Sequence, residues 1–258
     1  IPNHFVEEFI YGADLSTNIL KSKVGAAFLL VDEKERSLSH VLSNLRIDRS
    51  YESGEFFMSL ISKTSRKDNG MTEIFYEEKN GIGFYLSSSN YIQNWSITSS
   101  YRNFKVDVNN PVNRDNMVDN YGRALDIQRS PSGFYEHTFR LLSRSSREVN
   151  LNDEVGIEIQ LLGPLSNNSN IAVNYMKSSS SKRWYNGIGA LTIDWSGDNI
   201  FMPSSSQSSY PFEEIFIEFN GYNPNGNIFY KAGLDFQHEV FNVLSNSTEL
   251  KSFEISES

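Results

Sequence analysis

The chain has 258 residues, a formal charge of −9, a pI near 5.0 and no cysteine. That length suits one all-β domain, and the missing cysteine removes disulfides, thiolate chemistry and Cys-ligated zinc. Net acidity opposes long-range attraction to nucleic acid, so direct nucleic-acid binding is expected to be weak or absent. Aromatics reach 13%, with 18 Phe and 13 Tyr, and Ser, Asn and Gly fill the intervals between apolar runs. Such a composition suits pleated strands and their turns. No apolar run approaches the ~18 residues of a membrane helix, so no membrane insertion is expected. The opening Ile1-Pro2 reads as a cleavage product of a longer precursor or as a boundary chosen by design.

In chain order, residues 1–20 lack periodicity and read as an N-terminal arm. Residues 21–244 read as one β-sandwich domain, and 245–258 as a polar, acidic tail. Val24–Val31 is a continuous apolar run, as expected for a strand covered on both faces. Val41–Ile47, Glu55–Ile61, Thr72–Glu77, Gly81–Leu86 and Tyr91–Thr98 follow as strand candidates. Lys79-Asn80-Gly81 reads as a hairpin turn, because Asn-Gly tolerates positive φ. Met117, Tyr121, Ala124, Leu125 and Gln128 share one helical stripe, which predicts a short helix over Asp115–Gln128.

Strands resume at Phe134–Leu142, Glu154–Leu162, Ile171–Met176, Gly187–Trp195, Glu214–Asn220 and Glu239–Leu244. Ile157-Glu158-Ile159-Gln160-Leu161 and Ile215-Phe216-Ile217-Glu218-Phe219 alternate apolar with mostly polar residues, as half-exposed antiparallel strands do. About a dozen strands and one helix make an antiparallel sandwich or barrel the default.

Catalytic patterns are missing. His4, His40, His137 and His238 have no i, i+4 partner, which leaves a zinc hydrolase unsupported. No Gly-x-Ser-x-Gly elbow and no phosphate loop occurs. Glu158, Asp194, Glu218 and Asp235 are the carboxylates a glycosidase would draw on, but any acidic β-protein supplies such residues. The expectation is therefore no enzyme, with no catalytic, metal or cofactor residues. Trp95, Trp184 and Trp195 read as core or interface anchors in preference to sugar platforms.

The C-terminal quarter carries a resemblance. Ile228-Phe229-Tyr230-Lys231-Ala232-Gly233-Leu234-Asp235-Phe236-Gln237 leads into Glu239–Leu244. This aromatic-basic-Ala-Gly-x-Asp-Phe stretch resembles the closing strands of picornavirus-like capsid proteins. The resemblance implies an eight-stranded jelly-roll sandwich that is released from a polyprotein. It also implies assembly in the host cytoplasm with related subunits into an icosahedral virion around RNA, and a host receptor as a further partner. Phe229, Tyr230 and Phe236 are then the candidate interface residues, because loop aromatics without a partner in the chain mark contact surfaces. The Ser-rich loops Ser178–Ser181 and Ser204–Ser209 are read as edges of the same contacts. The alternative is a secreted or surface-attached β-sandwich that binds carbohydrate.

Overall fold

The computed structural model describes residues 8–33, 38–68, 76–106, 153–181, 184–186, 193–195, 201–244 and 250–257. It is all-β, as the composition predicts. The described residues form thirteen strands: β1 (Glu8–Ile19), β2 (Ser22–Glu33), β3 (Leu38–Tyr51), β4 (Gly54–Asp68), β5 (Tyr76–Ile92), β6 (Trp95–Lys105), β7 (Glu154–Ser166), β8 (Ser169–Ser179), β9 (Trp184–Asn186), β10 (Ile193–Trp195), β11 (Phe212–Tyr222), β12 (Phe229–Leu244) and β13 (Leu250–Glu257). A single 3-10 turn, Gln207–Ser209, is the only helical element among the described residues.

Eleven strands form one antiparallel sheet in the order β1-β2-β3-β4-β5-β6-β7-β8-β11-β12-β13, and β9 pairs only with β10. Each strand of the large sheet therefore lies beside its predecessor, with β9 and β10 left in a connection. A jelly roll joins non-neighbouring strands through Greek-key crossings. The observed order is an up-and-down meander, so the expected sandwich topology is replaced by one long sheet.

Several local expectations are revised with it. Glu8–Ile19, read as part of an arm, pairs with β2 along its whole length, from Glu8↔Glu33 to Ile19↔Ser22. Leu250–Glu257, read as a tail, pairs with β12. Asn80 and Gly81 do not turn; they lie inside β5, opposite Thr64 and Lys63. Tyr91–Thr98 is not one strand, because the chain reverses at Gln93-Asn94, with Gln93 at φ 56°. The predicted helix over Asp115–Gln128 and the strand Phe134–Leu142 lie outside the described residues.

The two ends of the sheet differ. At one end β1/β2, β3/β4, β5/β6 and β7/β8 are joined by two-residue turns, and β11/β12 by Asn223–Ile228. Leu20 and Lys21, at φ 49° and 64°, form the mirror-type turn whose twist matches antiparallel strands. At the other end lie the longer connections, including 106–153 and 180–211. Part of the latter folds back on the sheet. Ser204 N–H donates to Ser179 Oγ at 3.0 Å, Ser180 N–H to the Ser209 carbonyl at 2.7 Å, and Ser181 N–H to Asp153 Oδ1 at 2.8 Å. Ser178–Ser181 are consequently buried. These Ser runs are zipped together within the chain, which removes Ser178–Ser181 as an exposed edge.

Candidate functional site: an inverted sheet with a polar interior

Side chains alternate between the faces of a strand, and register carries each face across the sheet. One face contains Val31, His40, Ser65 and Lys63 on β2–β4. It continues through Tyr85, Arg102 and Phe104 on β5 and β6, Glu154 and Glu158 on β7, Asn174 and Met176 on β8, and Phe216 and Glu218 on β11. All of these are buried. With no second layer among the described residues, this buried face is the interior face of the sheet.

The opposite face holds Val24, Ala26, Phe28 and Leu30 on β2, Val41, Leu45 and Ile47 on β3, and Met58 and Leu60 on β4. It continues with Ile82, Phe84 and Leu86 on β5, Ile157, Ile159 and Leu161 on β7, Ile171 and Val173 on β8, and Ile215, Ile217 and Phe219 on β11. Leu15 is 75% exposed, Phe28 48%, Leu45 46%, Ile159 47% and Leu234 57%. Between Val24 and Leu30, Val41 and Ile47, Val155 and Leu161, and Ile215 and Phe219, no outward residue is charged. Among the described side chains, outward charges stand near strand ends, at Asp32, Arg49, Arg66, Lys105, Lys177 and Glu213. The alternation predicted in Ile157–Leu161 and Ile215–Phe219 is present, but its polarity is reversed. Ile159 and Ile215 face out, while Glu158 and Glu218 face in.

A buried charge needs a partner or a solvated neighbour. Arg102 Nε donates to Glu154 Oε1 at 2.6 Å, and both side chains are fully buried. Gly156, opposite Arg102 in the register, leaves room for the guanidinium; a Cβ there would lie 2.6 Å from Arg102 Cζ.

On β2–β4, Ser65 Oγ lies 2.8 Å from His40 Nδ1, and Glu33 Oε1 lies 3.3 Å from His40 Nε2. The order is that of a nucleophile, base and carboxylate. His40 and Ser65 are nevertheless direct cross-strand partners, and Ser65 is 4% exposed. Covered in this way, Ser65 Oγ is out of reach of an acyl carbon, and the three groups pack against one another inside the sheet.

Further round the interior the polar groups are less completely matched. Glu158, Met176 and Glu214 share one cross-strand row, Gln160, Asn174 and Phe216 the next, and Leu162, Ala172 and Glu218 the third. Glu218 Oε1 accepts from Lys231 Nζ at 2.9 Å and from Asn220 Nδ2 at 3.2 Å. Glu218 Oε2 and Asn174 Oδ1 have no hydrogen-bond partner among the described residues, although each residue is 3% exposed. A cleft of about 440 Å³ opens at the short-turn end, and Ser96, Leu162, Asn170, Glu218 and Asn220 are among its lining residues.

The three predicted interface aromatics are exposed, Phe229 at 54%, Tyr230 at 45% and Phe236 at 41%, but they do not form one patch. Tyr230 and Phe236 lie on the outward face, six residues apart. Phe229 lies on the other face at the strand end, where its ring sits 5.2 Å from that of Tyr222. Trp95 faces outward at the turn end and covers Gly163; a Cβ there would stand 2.2 Å from the indole. Trp184 and Trp195 are register partners in the β9–β10 hairpin. Among the described residues no group of three or more His, Cys, Asp or Glu is arranged to hold a metal ion.

Fold and site together define a class: an all-β chain whose sheet is inside out, apolar outward and polar inward. No protein-family model, curated protein or solved structure matches the chain.

Proposed function

We propose that the chain is a membrane-spanning β-sheet protein of the barrel type, with the outward face in lipid and the polar face enclosing an interior. One observation carries this: the uncharged apolar band on the exposed face of β2, β3, β7 and β11, set against buried Arg102, Lys63, Glu154 and Glu218 on the other. In water this arrangement leaves a large apolar surface uncovered, far beyond the few hundred Å² usual for a monomer. In a bilayer it is the arrangement expected of a transmembrane barrel.

Dimensions agree. The long strands run 11–17 residues, apart from the eight of β13, and a tilted strand needs ~9–11 residues to cross. Tight turns at one end and long connections at the other, with outward aromatics such as Tyr51, Phe56 and Trp95 near the turns, suit the same setting. The strands cross without any long apolar run, so the lack of a long apolar helix among the described residues leaves this class open. In lipid the backbone groups along the edges of β1 and β13 must also be paired. With eleven antiparallel strands these two edge strands run in the same direction, so closure takes either a parallel ladder or one further strand.

A capsid subunit or a soluble carbohydrate-binding module would place these apolar rows in a core or between subunits. Flotation separates the readings. The full chain refolded with phospholipid vesicles is expected to rise with them through a density gradient and to resist extraction at alkaline pH. Recovery as a soluble monomer, or as large lipid-free particles, would refute the membrane location.

A further inference from the structure

We infer that the interior of the sheet favours small cations over anions as passing or bound solutes; the inference rests on the membrane location proposed above. The wall formed by β6–β12 carries six inward carboxylates, Glu154, Glu158, Glu214, Glu218, Asp235 and Glu239, against two inward cations, Arg102 and Lys231. Its balance is six minus two, an excess of four negative charges. Among the described side chains of β1–β5, Asp14, Glu33, Asp48 and Glu55 face three cations, Lys23, Arg46 and Lys63, an excess of one. The negative field is therefore concentrated on one wall.

A second observation concerns the buried polar atoms without a hydrogen-bond partner among the described residues. On the three rows described above these are two acceptors, Glu218 Oε2 and Asn174 Oδ1, and one donor, Gln160 Nε2. Buried acceptors call for donors or cations, and on these rows they outnumber the donor. Glu218 also lines the cleft at the short-turn end, the side from which a solute would approach. Phe216, between Asn174 and Asp235 in the register, sets an aromatic ring in the same wall, a further surface that attracts cations. Carboxylate-lined passages select cations because low-dielectric walls focus the field of fixed charges into the lumen.

The test is the reversal potential of the full chain in a planar bilayer under a KCl gradient, at low ionic strength so that screening stays weak. The expected potential has the sign of potassium preference. Glu214→Gln with Glu218→Gln removes two of the four excess charges and should move it toward zero. Lys231→Gln adds one and should move it further from zero, which keeps the test open if the double variant does not fold. A reversal at zero or of chloride sign, or no shift in either variant, overturns the inference. So does insertion without any conductance, which leaves the membrane location intact; failure to float with vesicles removes both.

Discussion

Leu45→Arg separates a lipid-facing sheet from a water-facing one by its size alone. Leu45 is outward, 46% exposed, and close to the middle of β3; across the register it lies between Ala26 and Leu60. Full burial of a Leu side chain contributes about 1.5–3 kcal/mol, so the half still exposed accounts for about 1 kcal/mol once lipid covers it. Placing Arg at the bilayer midplane costs a further ~2–4 kcal/mol. Together the substitution should destabilise the folded, inserted state by about 3–5 kcal/mol, or about two to three and a half powers of ten in the equilibrium constant.

On a solvated surface the same change stays within about 0.5 kcal/mol. Ser39→Arg is the internal control. It lies on the same outward face at the long-connection end of the strand, where the penalty falls to about 0–1 kcal/mol. The assay is equilibrium unfolding in guanidinium chloride with the protein in phospholipid vesicles, followed by tryptophan emission. Equal and small effects at both positions would refute the assignment of the outward face to lipid.

Two further outcomes follow from the interior. Glu154→Ala leaves Arg102 buried without its carboxylate and should cost about 3–5 kcal/mol, much of it recovered when Arg102 is changed to Met as well; unfolding midpoints of the single and double variants check this. Gly156→Ala puts a methyl group against the Arg102 guanidinium and should destabilise through the same ion pair, so its effect should shrink in the Arg102→Met background.

The β class was legible because aromatic and β-branched residues recur between Ser, Asn and Gly. Single strands such as Glu154–Leu162 and Glu214–Asn220 were legible from alternation. Alternation gives the period of a strand but not its sign. In Ile215-Phe216-Ile217-Glu218-Phe219 the natural assumption sends isoleucine to the core and glutamate to water, and the fold does the reverse. The length of the stretch between turn signals holds the missing hint. Strands of 11–17 residues are long for a sandwich, but Asn80-Gly81 and the Ser-rich ends made them look like several short ones. Asn80-Gly81 misled because a paired strand also accepts Gly where the partner backbone runs close, and the real turns, Leu20-Lys21 and Gln93-Asn94, carry no glycine. The interior pairs were not legible at all. Arg102 and Glu154 are separated by 52 residues, and only the β6–β7 register brings them together. The aromatics at Phe229, Tyr230 and Phe236 are exposed, but they lie on a strand whose parity sends them to different faces.

The most direct measurement is the depth of successive β3 residues in a bilayer. Tryptophan placed singly at Ser43, Asn44, Leu45 and Arg46, in the full chain with its three native tryptophans changed to Phe, is quenched by lipids brominated in mid-chain. Quenching is expected to be strong at 43 and 45 and weak at 44 and 46, a period of two with the odd positions in lipid. Uniform quenching, none at all, or an alternation with 44 and 46 in lipid would contradict a sheet that turns its apolar face to the membrane.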